Sequence, residues 1–266
     1  MMPPLNVPSL FFLLSAGLAV TTHAAISVGV VGVYDEGTTT NAVDRNASGN
    51  LLSSNLPNDV AGFGSLVATA YASDTGGVIN FDSGTVNNEN QLNITYGGGK
   101  TFSIITNGNG NNFFNIGAFG TMAEISGANG LLPSNTGTTA MRFTFGTIST
   151  GETISSAGFT LLSRDSRAQS VLVDWFLDGS TTVIAASQPM TMGGTQGTDD
   201  TFFSYTAPAG SRISSFRISY DTGAAHTSDE RLAIDDLGFI TIPEPSSLLL
   251  LGIASAGLLG RRKRNA

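Results

Sequence analysis

Short stretches in which apolar and polar residues alternate recur through the middle of the chain. In the three clearest stretches the apolar residues are Met141, Phe143 and Phe145; Val171, Val173, Trp175 and Leu177; and Phe216, Ile218 and Tyr220. Asp174 and Arg217 fall between apolar positions. Because side chains alternate between the two faces of a strand, each stretch predicts a strand with one face toward a core and the other toward solvent.

Further segments have strand composition and are separated by Gly, Asn, Asp and Ser, as expected of turns. They are residues 27–34, 77–81, 90–96, 101–106, 113–119, 158–163, 200–206 and 232–240. Asp178-Gly179 predicts a tight hairpin turn between Leu177 and the run at 181–185, because glycine accepts the positive φ of such turns. Residues 59–72 are the one stretch that predicts a short helix.

The order of these elements predicts the fold class. A run of strands without helical crossovers indicates an all-β fold, built as an antiparallel β-sandwich. A β-sandwich of roughly 200 to 250 residues often forms one domain. We therefore expect one β-sandwich domain over residues 26–241, flanked by two apolar terminal segments that predict helices.

The N-terminal segment has the features of a signal peptide. Residues 10–20 form an apolar stretch (LFFLLSAGLAV) that is too short for a stable membrane span. Small residues follow on both sides of His23, as signal peptidase requires near its cleavage site. Residues 1–25 are therefore predicted to be removed during export. A buried N-terminal helix is the alternative, but Pro3, Pro4 and Pro8 disfavour it.

The C-terminal segment combines three elements in series. Pro243 and Pro245 flank Glu244 and hold the backbone extended and accessible. Residues 248–260 follow as an apolar stretch that would form a helix of about 20 Å, shorter than the roughly 30 Å hydrocarbon layer. The chain then ends in a basic cluster, which the positive-inside rule places in the cytoplasm: Arg261, Arg262, Lys263 and Arg264.

This tail, residues 242–266, resembles a PEP-CTERM sorting signal. In that family, a Pro-Glu-Pro motif, an apolar helix and a basic cluster are recognised by an exosortase, a cysteine transpeptidase of the inner membrane. The resemblance implies that Pro243, Glu244 and Pro245 form the processing motif. It also implies that the chain is held transiently at the inner membrane, cleaved near this motif and moved toward the cell surface. A membrane anchor that is never processed is the alternative.

The composition excludes several classes of function for the body of the chain between its two terminal segments. The chain of 266 residues has no cysteine, which excludes disulfide frameworks and cysteine metal clusters. Between residues 26 and 243 there are 19 acidic and 8 basic residues, a net charge of −11, because Glu244 and four of the basic residues belong to the tail. An acidic body disfavours nucleic-acid binding, which needs clustered Lys and Arg, and permits weak cation association.

Residues 231–239 (RLAIDDLGF) carry a second resemblance. They are similar to the closing strand of jelly-roll modules in extracellular adhesion and carbohydrate-binding proteins. This resemblance implies a jelly-roll-like topology and transfers no binding residue.

Catalytic and metal chemistry have few candidate residues. His226 is the one imidazole of the exported body, and a hydrolase could pair it with Asp221 or Asp229. A lone loop histidine beside charged neighbours is more often solvated, so we expect no enzyme and name no catalytic residue. A glycosidase needs two acids at a suitable separation, and acidic residues cluster at Asp199-Asp200, Asp229-Glu230 and Asp235-Asp236. Adjacent residues of a strand point to opposite faces, so the two members of an Asp pair would not face each other as acid and nucleophile. Asp and Asn supply oxygen ligands of the kind that calcium prefers, so a structural calcium ion is compatible with the sequence. We name no ligand set for it and expect no other cofactor.

These observations lead to one expectation and two alternatives. We expect a secreted, non-enzymatic protein of the cell surface or extracellular matrix, whose partners during export are signal peptidase and exosortase. The first alternative is a carbohydrate-binding jelly-roll protein that binds the exopolysaccharide matrix. The second is an acidic surface hydrolase that uses His226.

Overall fold

The computed structural model describes residues 26–30, 60, 62–81, 86–107, 113–117, 130–134, 140–163, 168–193, 201–221 and 232–243. The first half of these residues contains β1 Ile26–Gly29, α1 Phe63–Ala72, β2 Gly76–Ile79, β3 Val86–Glu89, β4 Gln91–Tyr96, β5 Lys100–Asn107, β6 Phe113–Gly117 and β7 Gly130–Ser134. The second half contains β8 Ala140–Phe145, β9 Glu152–Ser163, β10 Ala168–Leu177, β11 Ile184–Gly193, β12 Thr201–Thr206, β13 Ile213–Asp221 and β14 Leu232–Pro243.

The strands form two sheets. The first has the order β1-β4-β5-β8-β13-β10-β11, and the second has the order β12-β9-β14-β7-β6-β3, with β2 also paired to β14. We call them the first and the second sheet. The pairing of β1 with β4 is parallel, and the other pairings among the described strands are antiparallel. The predicted all-β class is confirmed, whereas the jelly-roll topology stays a prediction. Residues 1–25 and the tail after Pro243, with the predicted signal and C-terminal helices, lie outside the described residues.

Aromatic side chains join the two sheets. The Phe159 ring of the second sheet lies 4.6 Å from the Phe216 ring and 6.0 Å from the Trp175 ring of the first, measured between centroids. All three side chains are fully buried. Burying large aromatic rings removes much apolar surface from water, and offset or tilted ring pairs add a further contribution. The sheets are therefore packed face to face around one hydrophobic core.

A buried glutamine connects the core tryptophan to both sheets. The Trp175 indole N–H donates to Gln188 Oε1 on β11 at 2.7 Å, and Gln188 Nε2 donates to the Ser204 carbonyl on β12 at 2.9 Å. Gln188 and Trp175 are both inaccessible to solvent. Because an unpaired polar group in the interior costs stability, these bonds fix the position of the indole ring between the sheets.

Most predicted strands are present with shifted ends. The predicted turn at Asp178-Gly179 is confirmed: both residues have positive φ, 52° and 80°, and the Ser180 N–H donates to the Leu177 carbonyl at 2.9 Å. The next strand, however, begins at Ile184 rather than at 181. The predicted helix begins at Phe63, and β3 and β7 were not predicted, because neither alternates clearly between apolar and polar residues.

The expectation that the outer face of each strand is wet is wrong at Asp174. The alternation does place Asp174 on the face of β10 that points away from the core, whereas its neighbours Val173 and Trp175 point into the core. Its side chain is nevertheless fully buried, because Arg217 of the neighbouring strand pairs with it. A long charged side chain can cover a shorter one by lying across it.

Candidate functional site

The last strand carries the chain into the predicted sorting motif. Residues 241–243 at the end of β14 pair with residues 154–152 at the start of β9, and the register places Pro243 opposite Glu152. The sheet therefore continues up to the first residue of the Pro-Glu-Pro sequence. We call the end of β14 and the residues that hold it the junction.

Thr241 is held by backbone and side-chain hydrogen bonds. Its N–H donates to the Thr75 carbonyl at 2.7 Å. Its hydroxyl oxygen lies 2.9 Å from both the Thr75 carbonyl and Glu152 Oε2, two acceptors between which the single hydroxyl proton can be shared. Thr75 follows the helix and precedes β2, so this loop is tied to the end of the last strand.

Glu152 is the centre of the polar network at the junction. Its Oε1 accepts from Lys100 Nζ at 2.6 Å, and its Oε2 accepts from the Tyr96 hydroxyl at 3.0 Å. Lys100 Nζ also donates to the Asp74 carbonyl at 2.6 Å. The Lys100 and Glu152 side chains are only 18% and 15% exposed, so water screens this ion pair less than a pair on the open surface.

The environment of the junction shifts two pKa values in opposite directions. Burial raises the pKa of Tyr96 well above its ordinary value, and the neighbouring Glu152 carboxylate raises it further. Burial alone would raise the pKa of Glu152, but hydrogen bonds from Lys100, Thr241 and Tyr96 and the charge of Lys100 outweigh it, so the pKa is lowered. Tyr96 is therefore a neutral donor and Glu152 an ionised acceptor at neutral pH.

A cleft of about 140 Å³ opens beside the junction, lined in part by Glu152, Ile148, Arg212 and Ser214. Pockets for drug-sized ligands usually measure about 300–1,000 Å³. The cleft therefore suits a small group better than an extended substrate.

The structure describes few of the residues that the sequence singled out. Pro243 is the last residue of β14, and Asp221 is the last residue of β13. The other members of the processing motif, the basic tail and the histidine candidate lie outside the described residues: Glu244, Pro245, Arg261, Arg262, Lys263, Arg264, His226 and Asp229.

Asp235 and Asp236 lie at an irregularity in β14. Both side chains are fully buried, and Asp236 has a positive φ of 48°. The pairing of β14 with β9 shifts register between Asp235 and Gly238, so the simple alternation assumed for this pair does not hold there. No three His, Asp or Glu side chains lie together as a metal site anywhere in the part of the chain that the structure describes. The calcium expectation stays a prediction.

Sequence reasoning did not find the residues that hold the junction. Tyr96, Lys100 and Glu152 come together from positions that are 52 and 56 residues apart in sequence, so no local pattern connects them. One signal was available, since Lys100 is the one lysine of the chain before the basic tail.

Residues 241–264 match the PEP-CTERM protein-sorting motif. This match implies exosortase-dependent export, with passage through the cell envelope in a membrane-anchored form. It begins at Thr241, so it overlaps the last three residues of β14.

The body of the chain has weaker parallels. No curated protein matches the chain. Among solved structures, a family two carbohydrate esterase from Cellvibrio japonicus is 11% identical and has a TM-score of 0.24, over 54% of this chain and 36% of that chain. A similarity this low assigns neither fold nor activity. Within the described residues, no helix has the length and apolarity needed to cross a membrane.

Proposed function

We propose that this chain is a non-enzymatic protein of the cell surface or extracellular matrix, delivered there after an exosortase removes its C-terminal tail. The observation that carries the proposal is the sorting motif at residues 241–264, which begins in the last strand of a folded β-sandwich. Removal of the tail would release an acidic body with a net charge of −11, which favours solubility outside the cell.

The junction supports this order of events. The hydrogen bonds of Thr241 to Thr75 and Glu152 fix the end of β14 to its neighbours immediately before the Pro-Glu-Pro sequence. Cleavage after Pro243 would leave all the strands that the structure describes in the product. The proposed product therefore keeps the two sheets described above.

The test of sorting is made in the native host. An epitope tag is added after Ala266, and an antibody against the body follows the same protein in inner-membrane, surface and medium fractions. We expect the surface form to carry the body without the tag, and a strain that lacks exosortase to accumulate the tagged chain in the inner membrane. A full-length tagged chain at the surface of the normal strain would contradict processing.

The processing motif is tested in the same strains. Replacing Pro243, Glu244 and Pro245 together by alanine should leave the tag attached, as in the strain without exosortase. Replacing Ser246 and Ser247 by alanine is the matched control, because it alters neighbouring residues but leaves the motif intact. Equal processing of both variants would show that the motif is not read.

Carbohydrate binding is the second candidate function, and it includes the jelly-roll topology implied by residues 231–239. The specific observation in its favour is the pair of Arg142 and Arg217, which lie opposite each other on the outer face of the first sheet. Binding of purified exported protein to the host polysaccharide, measured with calcium and with EDTA, tests both the ligand and structural calcium. Binding that is absent in both conditions would remove this candidate.

The absence of enzymatic activity is tested separately. Purified protein is assayed with ester, peptide and glycoside substrates beside a His226→Ala variant. We expect no turnover by either protein. Turnover by the wild type that His226→Ala abolishes would support the hydrolase alternative instead.

A further inference from the structure

A row of polar side chains crosses the outer face of the first sheet. The register places Arg142 of β8 opposite Arg217 of β13, Arg217 opposite Asp174 of β10, and Asp174 opposite Ser187 of β11. Their sequence neighbours Phe143, Phe216 and Trp175 are buried in the core. Because neighbouring residues of a strand point to opposite faces, the row lies on the face away from the core.

Asp174 and Arg217 satisfy each other. Asp174 Oδ2 accepts from Arg217 Nε at 3.1 Å and also from Arg217 Nη2, and Asp174 Oδ1 accepts from the Ser187 hydroxyl. The Asp174 side chain is fully buried, whereas the Arg217 side chain is 33% exposed. Both carboxylate oxygens therefore have partners, and one positive charge neutralises the carboxylate.

Arg142 is bonded to neutral acceptors. It donates to the Ser215 hydroxyl at 3.2 Å and to the Thr181 carbonyl at 2.8 Å, and its guanidinium carbon lies 3.9 Å from the centre of the Phe176 ring. Among the described residues, no carboxylate is within ion-pair distance of it. The Arg142–Arg217 pair therefore carries an excess of one positive charge.

This excess charge costs stability in the unliganded protein. Like charges directly opposite each other on neighbouring strands are destabilising. Burial lowers the pKa of Arg142, and the charge of Arg217 lowers it further, while Asp174 acts in the opposite direction. An anion bound across the two guanidinium groups would remove this repulsion.

The surroundings narrow the chemistry of the anion. A guanidinium group is a planar fork of N–H donors that matches a carboxylate. The bonds described above use Nη1 and Nη2 of Arg142 and Nε and Nη2 of Arg217, and each guanidinium has further N–H groups that can donate to an anion. Ser219 lies two positions from Arg217 on the same face and is partly exposed. Its hydroxyl group can donate to and accept from a hydroxyl group of a sugar ring.

We propose that the Arg142–Arg217 pair binds the carboxylate of an acidic sugar residue, with a ring hydroxyl group bonded to Ser219. The proposal rests on the proposed function for its setting outside the cell, and it specifies the carbohydrate-binding form of that function. The net charge of −11 opposes binding of a long polyanion, but at physiological salt that repulsion is screened beyond about 8 Å, so short-range contacts dominate.

The test uses the purified exported protein and short oligogalacturonate. The matched neutral ligand is the methyl-esterified form of the same oligosaccharide, which keeps the sugars and blocks the carboxylates. We expect calorimetry at physiological salt, where the repulsion from the net charge is screened, to show binding of oligogalacturonate at least about tenfold tighter than binding of the ester. Equal binding of the two oligosaccharides, or no binding of either at this salt concentration, would overturn the proposal.

Variants locate the site. Arg142→Gln should weaken oligogalacturonate binding at least about tenfold, and Arg142→Lys should weaken it less, because the charge remains while the planar fork is lost. Arg212→Gln is the matched control, since it removes an exposed arginine from the end of the sandwich. Unaltered binding by Arg142→Gln would refute the site, and unfolding curves of each variant check that the fold is retained.

A readout on the wild type keeps the test independent of folding. In NMR spectra, the Nε–Hε signals of Arg142 and Arg217 should shift on addition of oligogalacturonate and stay in place on addition of the ester. Acetate at equal carboxylate concentration should shift them less, and an equal shift would show that a bare carboxylate suffices and overturn the sugar assignment. Failure of sorting in cells would leave these solution results unaffected, so the two proposals fail separately.

Discussion

The Thr241 hydroxyl oxygen lies 2.9 Å from Glu152 Oε2, although 89 positions separate the two residues in the chain. Thr241 is two residues before the end of the last strand, and Glu152 is the first residue of the strand beside it. The contact therefore holds the end of β14 in place at the residue where the sorting motif begins.

Replacing Glu152 by glutamine should destabilise the body. The change removes the partner of Lys100, whose ammonium group is largely shielded from water, and it weakens the acceptor for Thr241 and Tyr96. We expect the free energy of unfolding to fall by about 1–3 kcal/mol, as measured by urea unfolding. Asp74→Asn is the control, because only the backbone carbonyl of Asp74 contacts Lys100. An equal effect of both substitutions would contradict a specific role of the Glu152 carboxylate.

The contribution of Glu152 should depend on pH. Its pKa is lowered in the folded protein from the ordinary value of 4.5, so folding favours the ionised form. This stabilisation is present in full above pH 4.5 and is lost as the pH falls through the lowered folded value. The difference in unfolding free energy between wild type and Glu152→Gln should therefore shrink on acidification. A difference that stays constant from neutral to acidic pH would show that the ionised carboxylate is not the cause.

Replacing Gln188 by leucine should destabilise the core despite the similar size of the side chains. The Trp175 indole N–H and the Ser204 carbonyl would each lose a partner in a buried place. We expect a loss of about 2–5 kcal/mol, since each unsatisfied buried group costs about 1–3 kcal/mol. Trp175 is the one tryptophan of the chain, so its fluorescence reports the unfolding.

Gln91→Leu is the control for that measurement. Gln91 is a partly exposed residue of β4 that donates to the side chain of its near neighbour Asn93. Its replacement should change the free energy of unfolding by less than about 0.5 kcal/mol, as is usual at the surface. Losses of the same size in both variants would mean that the buried hydrogen bonds of Gln188 are not important.

The mature C-terminus should retain the end of β14. Cleavage before Pro243 would remove the residue that pairs with Glu152 of β9, and cleavage before Thr241 would also remove the bonds of Thr241 to Thr75 and Glu152. Intact-mass and C-terminal peptide analysis of the surface form should therefore find Pro243 present. A mature chain that ends before Thr241 would show that the strand end is detached before or during cleavage.

The local sequence was sufficient for most of the described strands and for the C-terminal sorting motif. Alternation placed Met141, Phe143 and Phe145 in the core, because strand geometry by itself sends every second side chain to the same face. The turn at Asp178-Gly179 was equally local, since it depends on the φ angles that these two residues tolerate. The sorting motif at residues 241–264 was also recognisable from the local sequence, because it is a continuous segment with a characteristic order of residue types.

What the tertiary structure decided is where distant polar residues meet. Alternation put Asp174 on the outer face, but its burial depends on Arg217 lying across it from another strand. Likewise, Tyr96, Lys100 and Glu152 become a network only when β4, β5 and β9 come together at one end of the sandwich. Hydrophobic periodicity reports the face of each strand and carries no information on which strands become neighbours, so these contacts arise only from the packing of the complete chain.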